Sequence, residues 1–208
     1  MNDINVLVVG VGGQGVILAS DVLSELGIKN GYDVKKSDSI GMAQRGGSVV
    51  SHVRLGKHVF SPMIKKGEVD FLLGFERLEA ARWAHYLKPG GIAIVADVEI
   101  VPVSVIHSKI PYPAWGEIRD ILTKYTGHTG QVYLIPATSI CLEVGNPRAL
   151  NMVMLGALSK FLNIEREAWF DNLRLRLRPD FIESSLQAFS KGATETGVVG
   201  LGGTNRNS

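Results

Sequence analysis

Two glycine-rich clusters hold the residue types and spacings that could do chemistry. In the first, Gly10-x-Gly12-x-x-Gly15, with Gly13 and Gln14 inside it, follows an apolar run that begins at Ile4 and opens an apolar helical pattern. This is the dinucleotide-type spacing: the glycines make a tight turn, let a ligand approach the backbone and dock helix on strand, while free N–H groups at the helix start attract an anion. The same glycines serve equally well in a purely structural turn. A ribose-binding acid belongs about 20 residues further on, and Lys35 and Lys36 occupy that region, with Asp33 and Asp38 a few positions off. The missing acid argues against ordinary NAD binding. The second cluster runs from Ser37 to Ser48 (SDSIGMAQRGGS), and at its centre stand Gln44, Arg45, Gly46, Gly47 and Ser48. Such a loop can aim a guanidinium fork and several N–H donors at one anionic group. Alternatively its arginine pairs with a local carboxylate or with another subunit.

Elsewhere the chemistry-bearing residues read as structural. Cys141 is the one cysteine and sits in the apolar stretch SICLEV, which fits a buried small hydrophobe. The five histidines, His52, His58, His85, His107 and His128, lack the spacing of a metal site, so no metal is assigned to this chain. Met152, Met154 and Leu155 belong to a core or subunit interface. Arg174, Arg176 and Arg178 alternate with leucines, and such runs are solvated or paired with carboxylates.

The elements that must position the two clusters follow from hydrophobic period. A strand from Ile4 to Gly10, a helix over Gly13 to Leu26 and a strand over Tyr32 to Lys36 form a βαβ-type unit. Ser48 to Leu55 alternates apolar and polar residues and, with His58 to Phe60, predicts a β-hairpin. A buried strand is expected over Val69 to Gly74, then a helix over Phe75 to Tyr86 that ends at Lys88-Pro89-Gly90-Gly91. Further strands are expected at Ile92 to Ala96 and Val132 to Ile135, with a helix at Trp115 to Tyr125 between them. Proline-marked segments, Val101 to Ile106 and Pro111 to Pro113, precede that helix. Beyond Pro136 the pattern is helical only: Pro147 to Leu162, Glu165 to Leu177 and Pro179 to Lys191. The fold class is therefore α/β, Rossmann-like, with a mostly parallel sheet, flanking helices, a β-hairpin insertion and a C-terminal helical cap. Residues 1–191 form one domain with the cap from about 147, and 192–208, rich in glycine and without periodicity, form a flexible tail.

Composition excludes several function classes. The chain has 208 residues, 45% of them hydrophobic, enough for a full core. With 22 basic and 20 acidic residues the formal charge is +2, which gives no electrostatic case for a nucleic-acid partner. No apolar run reaches the roughly 18 residues of a membrane span, and MNDIN leads straight into a strand, so a cytoplasmic protein with no membrane partner is expected.

GVGGQG, the loop SIGMAQRGGSVVSHVRLG and the segment Val59-Phe60-Ser61-Pro62, with LKPGGIAIV and ALNMVMLGALSKFL behind them, resemble the gamma-type subunits of 2-oxoacid:ferredoxin oxidoreductases. The resemblance covers most of residues 4–191, and Met42-Ala43-Gln44-Arg45-Gly46-Gly47-Ser48 is similar to the indolepyruvate (arylpyruvate) group of that family. It implies an accessory subunit in an enzyme that turns arylpyruvate, coenzyme A and oxidised ferredoxin into aryl-acetyl-CoA, carbon dioxide and reduced ferredoxin. It also implies a large alpha subunit as partner, holding thiamine diphosphate, magnesium and the 4Fe-4S clusters, with ferredoxin reached through the complex. A lone cysteine cannot ligate a four-iron cluster. The Gly10–Gly15 and Arg45 loops then become candidate coenzyme A contacts, or else face the partner. The competing readings are a stand-alone NAD(P)-binding oxidoreductase using Lys35 and Lys36, a non-catalytic nucleotide-sensing or scaffold domain, and the gamma subunit of a pyruvate or 2-oxoglutarate ferredoxin oxidoreductase.

Overall fold

In the computed structural model, which describes residues 3–41, 47–101 and 111–194, the apolar run at the N-terminus forms β1, Ile4–Val11. Val6 and Val8 enter one core and Leu7 and Val9 the other. That two-sided burial is why the run is continuous rather than alternating. The other strands are β2 (Asp33–Ile40), β3 (Ser48–Gly56), β4 (Val69–Gly74), β5 (Leu87–Ala96) and β6 (Gln131–Ile135). They form a six-stranded sheet in the order β2-β3-β1-β4-β5-β6. The run β1-β4-β5-β6 is parallel, whereas β3 is antiparallel to both of its neighbours. The fold is thus the expected α/β architecture with a mostly parallel sheet.

The hairpin exists, but with a different partner. β3 pairs along its length with β2, from Asp33 opposite Gly56 to Ile40 opposite Val49, and not with His58 to Phe60. The latter segment turns back across the sheet instead: Arg54 donates to the carbonyls of Ser61 (3.2 Å) and Met63 (3.4 Å), and Asp33 accepts the Val59 N–H at 2.8 Å. Ile64 enters the core beneath it. The expected βαβ unit is correspondingly interrupted, because β3 lies between β1 and β2.

One face of the sheet carries α1 (Val16–Lys29) and the C-terminal group α4 (Ala137–Glu143), α5 (Leu150–Ser159), α6 (Arg166–Arg176) and α7 (Pro179–Thr194). The other carries α2 (Arg77–Trp83), the 3-10 turn Ala84–Tyr86 that continues it, and α3 (Trp115–Thr126). Met152, Met154 and Leu155 lie in the first core. α2 starts two residues later than periodicity predicts, since the Phe75 N–H still bonds the Val9 carbonyl at 2.8 Å and Glu76 caps the helix. Lys88 to Gly91 belongs to the beginning of β5; Pro89 is tolerated there because β6 pairs only from Ile92 onward and the β4–β5 register is irregular beside it. α5 begins at Leu150 because Asn146 takes the Arg148 N–H at 3.1 Å and sets a turn first.

The helical cap extends past the boundary drawn from sequence. Gly192 lies inside α7, and a Cβ there would stand 2.0 Å from the Val153 carbonyl oxygen; one on Gly156 would stand 2.0 Å from that of Phe189. These two glycines let α5 and α7 cross at backbone contact. Gly192 to Thr194 are therefore helix rather than tail, while residues 195–208 lie outside the described residues.

Candidate functional site

The glycine loop sits at the carboxyl edge of the parallel strands, where doubly wound folds bind ligands. Its members divide by task. Gly10 is packed: a Cβ there would meet Gln14 Oε1 at 2.8 Å and Phe75 Cβ at 2.9 Å. Gly15, at φ 83°, is the left-handed residue from which α1 starts, and a Cβ would lie 2.6 Å from Asn151 Nδ2. Gly13, at φ 101°, has nothing within 4 Å of the corresponding point. It is thus the backbone stretch a ligand can approach most closely.

Gln14 does internal work. Its Oε1 accepts the Val11 N–H at 2.7 Å and its Nε2 donates to the Phe75 carbonyl at 2.9 Å, tying the loop to the end of β4. The Gly12 N–H donates to the Gly47 carbonyl at 2.9 Å. Val11 stands opposite Ser48 in the β1–β3 register, so the two glycine clusters, distant in sequence, form one surface. Gly41 N–H donates to the Ser48 carbonyl at 2.8 Å and closes the base of the hairpin tip. Gln44, Arg45 and Gly46 lie outside the described residues. α1 has no side-chain cap and no acidic residue in its first turn, leaving its leading N–H groups to an anion.

A set of buried carboxylates beside this surface escaped the sequence reading. Ser48 Oγ donates to Glu79 Oε2 at 2.6 Å, and Arg82 donates to Glu79 Oε1 at 2.8 Å. Glu76, 1% exposed, takes the Glu79 N–H at 2.7 Å, the Ile100 N–H at 3.3 Å and the Tyr112 hydroxyl. Burial, then the Glu76 hydrogen bond, push the Tyr112 phenol far above its ordinary value, so it stays a donor. The only sequence signal was Glu-x-x-Glu at the end of an apolar strand, a capping pattern in which Glu76 holds the start of α2. By contacting Ile100 and Tyr112, it also ties the two sides of the undescribed 102–110 segment to the same edge.

The lysines of the NADP reading are engaged. Lys36 pairs with Asp21 and with Asp38 (2.9 Å), and Lys35 pairs with Asp33 (2.9 Å). β2 is moreover one strand removed from β1, about 10 Å away at ordinary strand spacing. Arg174 pairs with Asp171, and Arg176 with Glu25 and Asp21, as their leucine-alternating pattern suggested. Cys141 is buried, and desolvation with the nearby Asp97 charge pushes its thiol up to about 11, well away from a nucleophile's range. Among the described residues, no group of three His, Cys, Asp or Glu is placed to hold a metal ion. No helix there is long and apolar enough to cross a membrane.

The chain is similar to known proteins along nearly its whole length. Indolepyruvate oxidoreductase subunit IorB of Thermococcus kodakarensis is 34% identical over 194 residues, covering 92% of this chain and 95% of the relative. The subunit of the same name from Methanothermobacter thermautotrophicus is 37% identical over 190 residues, 90% of this chain and 95% of its own length. The fold also matches 2-oxoglutarate:ferredoxin oxidoreductase from Magnetococcus marinus, solved with 2-oxoglutarate, coenzyme A and succinyl-CoA bound. The TM-score is 0.71 at 22% identity, over 93% of this chain and 31% of that longer one. Residues 5–195 match the pyruvate ferredoxin/flavodoxin oxidoreductase family, and with relatives this similar along nearly its whole length the chain belongs to that family.

Proposed function

We propose that this protein is the small accessory subunit of an indolepyruvate-type ferredoxin oxidoreductase. The observation that carries this reading is the 34–37% identity to indolepyruvate oxidoreductase subunits over at least 90% of the chain. In this role it has no catalytic residue of its own. Thiamine diphosphate, magnesium and iron–sulfur clusters belong to the large partner subunit, since one cysteine cannot supply the four thiolates of a cluster. The partner's chemistry is oxidative decarboxylation of an arylpyruvate, with acyl transfer to coenzyme A and electrons passed to ferredoxin.

For this chain's own residues the role is binding and orientation. Coenzyme A carries a pyrophosphate, and the uncapped start of α1 beside the open Gly13 suits such an anion. Gln14 shapes that receptor by tying Val11 to Phe75, and its second amide N–H is left for the same ligand. Arg45, two residues before the Gly47 whose carbonyl accepts the Gly12 N–H, is the candidate guanidinium for the same group.

The test is to co-purify the chain with its large subunit and to assay reduction of a low-potential dye that depends on both a 2-oxoacid and coenzyme A. Indolepyruvate turning over with the highest kcat/KM supports the reading. Preference for pyruvate or 2-oxoglutarate would move the protein to another branch of the family. Arg45→Ala should raise the KM for coenzyme A or impair assembly; if neither changes, the role given to that loop is wrong.

A further inference from the structure

Asn151, which packs against Gly15, also lines a separate cavity of about 240 Å³ where α1, the α4–α5 turn and the α6–α7 turn meet. Three features of its wall point to a ligand. Arg148 and Arg178 both line its exposed mouth and neither has an ion-pair partner among the described residues, whereas Arg176, which also lines it, is neutralised by Glu25. Among the described residues no acidic side chain lines the cavity. Ser185 is 3% exposed and its hydroxyl has no protein partner among the described residues. Asn151, 5% exposed, uses its Oδ1 for the Met152 N–H (3.0 Å) and leaves its amide nitrogen without one. Both residues line the cavity, where these donors are open to an acceptor. The rest of the wall is Asn146, whose amide is already bonded to Ser184 and to the Arg148 N–H, and the apolar side chains of Leu18, Met152, Leu177 and Phe181.

We propose that this cavity binds a small organic acid, an aryl or branched-alkyl carboxylate. Its carboxylate meets the Arg148 and Arg178 guanidiniums and the Ser185 and Asn151 donors, and its apolar body lies against Met152 and Phe181. Guanidinium forks favour a planar carboxylate. The apolar wall disfavours a fully hydrated inorganic anion, which could not use it. At about 240 Å³ the space falls below the ~300–1,000 Å³ of sites for larger ligands, so it is too small for a whole coenzyme A. The proposal does not depend on the assignment to an indolepyruvate enzyme.

The experiment uses the full-length chain with its methionine methyl groups labelled with carbon-13, and phenylacetate as the probe. Phenylacetate is expected to move the Met152 resonance saturably while Met63 stays in place. Acetate, lacking the apolar body, and benzyl alcohol, lacking the charge, are expected to bind at least about tenfold more weakly. Arg148→Gln and Arg178→Gln should each weaken phenylacetate about tenfold. An unshifted Met154 resonance, from a methionine buried in the core, certifies that each variant is folded. Four results would overturn the proposal: no saturable shift at Met152, equal affinity for benzyl alcohol, unchanged affinity in both arginine variants, or displacement of phenylacetate by coenzyme A. The last would assign the cavity to the coenzyme path.

Discussion

Gly12 donates its backbone N–H to the carbonyl of Gly47 at 2.9 Å, so the turn after β1 and the tip of the β2–β3 hairpin are one structure. Whatever contacts one of the two loops is within reach of the other. The relationship comes from β3 entering the sheet beside β1 and bringing the hairpin tip to the carboxyl edge.

Gln14 joins that structure to β4. Replacing it with alanine leaves the Val11 N–H and the Phe75 carbonyl without partners, and we predict a loss of about 2 kcal/mol or more in stability. Urea unfolding followed by circular dichroism measures this. A loss of only a few tenths would show that water replaces the amide at no cost.

Gly13 and Gly15 both hold positive φ but have different neighbours. Alanine at Gly15 incurs backbone strain and the contact with Asn151, whereas at Gly13 it incurs strain alone. The expected losses are about 1–2 kcal/mol at Gly13 and clearly more at Gly15. In the assembled enzyme Gly13→Ala should also raise the KM for coenzyme A, because its new methyl group occupies the open approach. A Gly13→Ala enzyme with unaltered KM would remove Gly13 from the binding surface.

Alanine at Gly156 or Gly192 drives a methyl group into the facing helix backbone. Each substitution is expected to cost about 3 kcal/mol, at the upper end of overpacking effects. The melting temperature and the near-ultraviolet signal of Trp169, which packs on Phe189 at 5.3 Å between ring centres, would report it. Wild-type stability in either variant would show that α5 and α7 can separate freely.

His52 makes a pH prediction. It is buried, its Nδ1 accepts the Ile64 N–H at 3.3 Å, and its ring meets Tyr86 edge-on at 5.7 Å. Burial holds the imidazole below its ordinary value. The unfolded chain therefore takes up a proton at about pH 6.5 that the native protein refuses. Stability is full above that pH and declines as pH falls toward the lowered native value. His52→Gln should flatten this decline between about pH 7 and 5, as measured by unfolding free energy at each pH. An equal slope in the variant would mean that other groups account for it.

Much of this was legible in the sequence because period and punctuation are local. The β1 run, the glycine spacing that follows it and the methionine-rich α5 all read directly. What could not be read depended on partners far along the chain. The alternating run Ser48 to Leu55 announces a strand, yet nothing in it says whether the next residues or the preceding β2 will pair with it. Gly192 looks like the start of a tail until Val153 is placed beneath it. Gln14 reads as a candidate ligand contact, and nothing local to it tells that its amide also ties Val11 to the Phe75 carbonyl. At the site, the glycine loop was visible, while the buried Glu76 and Glu79 gave only a capping pattern with no hint that Ser48 and Tyr112 would meet them.

The insertion of β3 also sets an order of assembly. β2 and β3 are joined by a short tip and close a small loop, whereas β1 must wait until α1 and β2 have been traversed before its antiparallel partner exists. Closing the longer loop costs more chain entropy. The hairpin is therefore expected to form first and to dock on β1 as a preformed ribbon. Substitutions in the tip that weaken this ribbon should slow refolding before they alter anything the finished surface does.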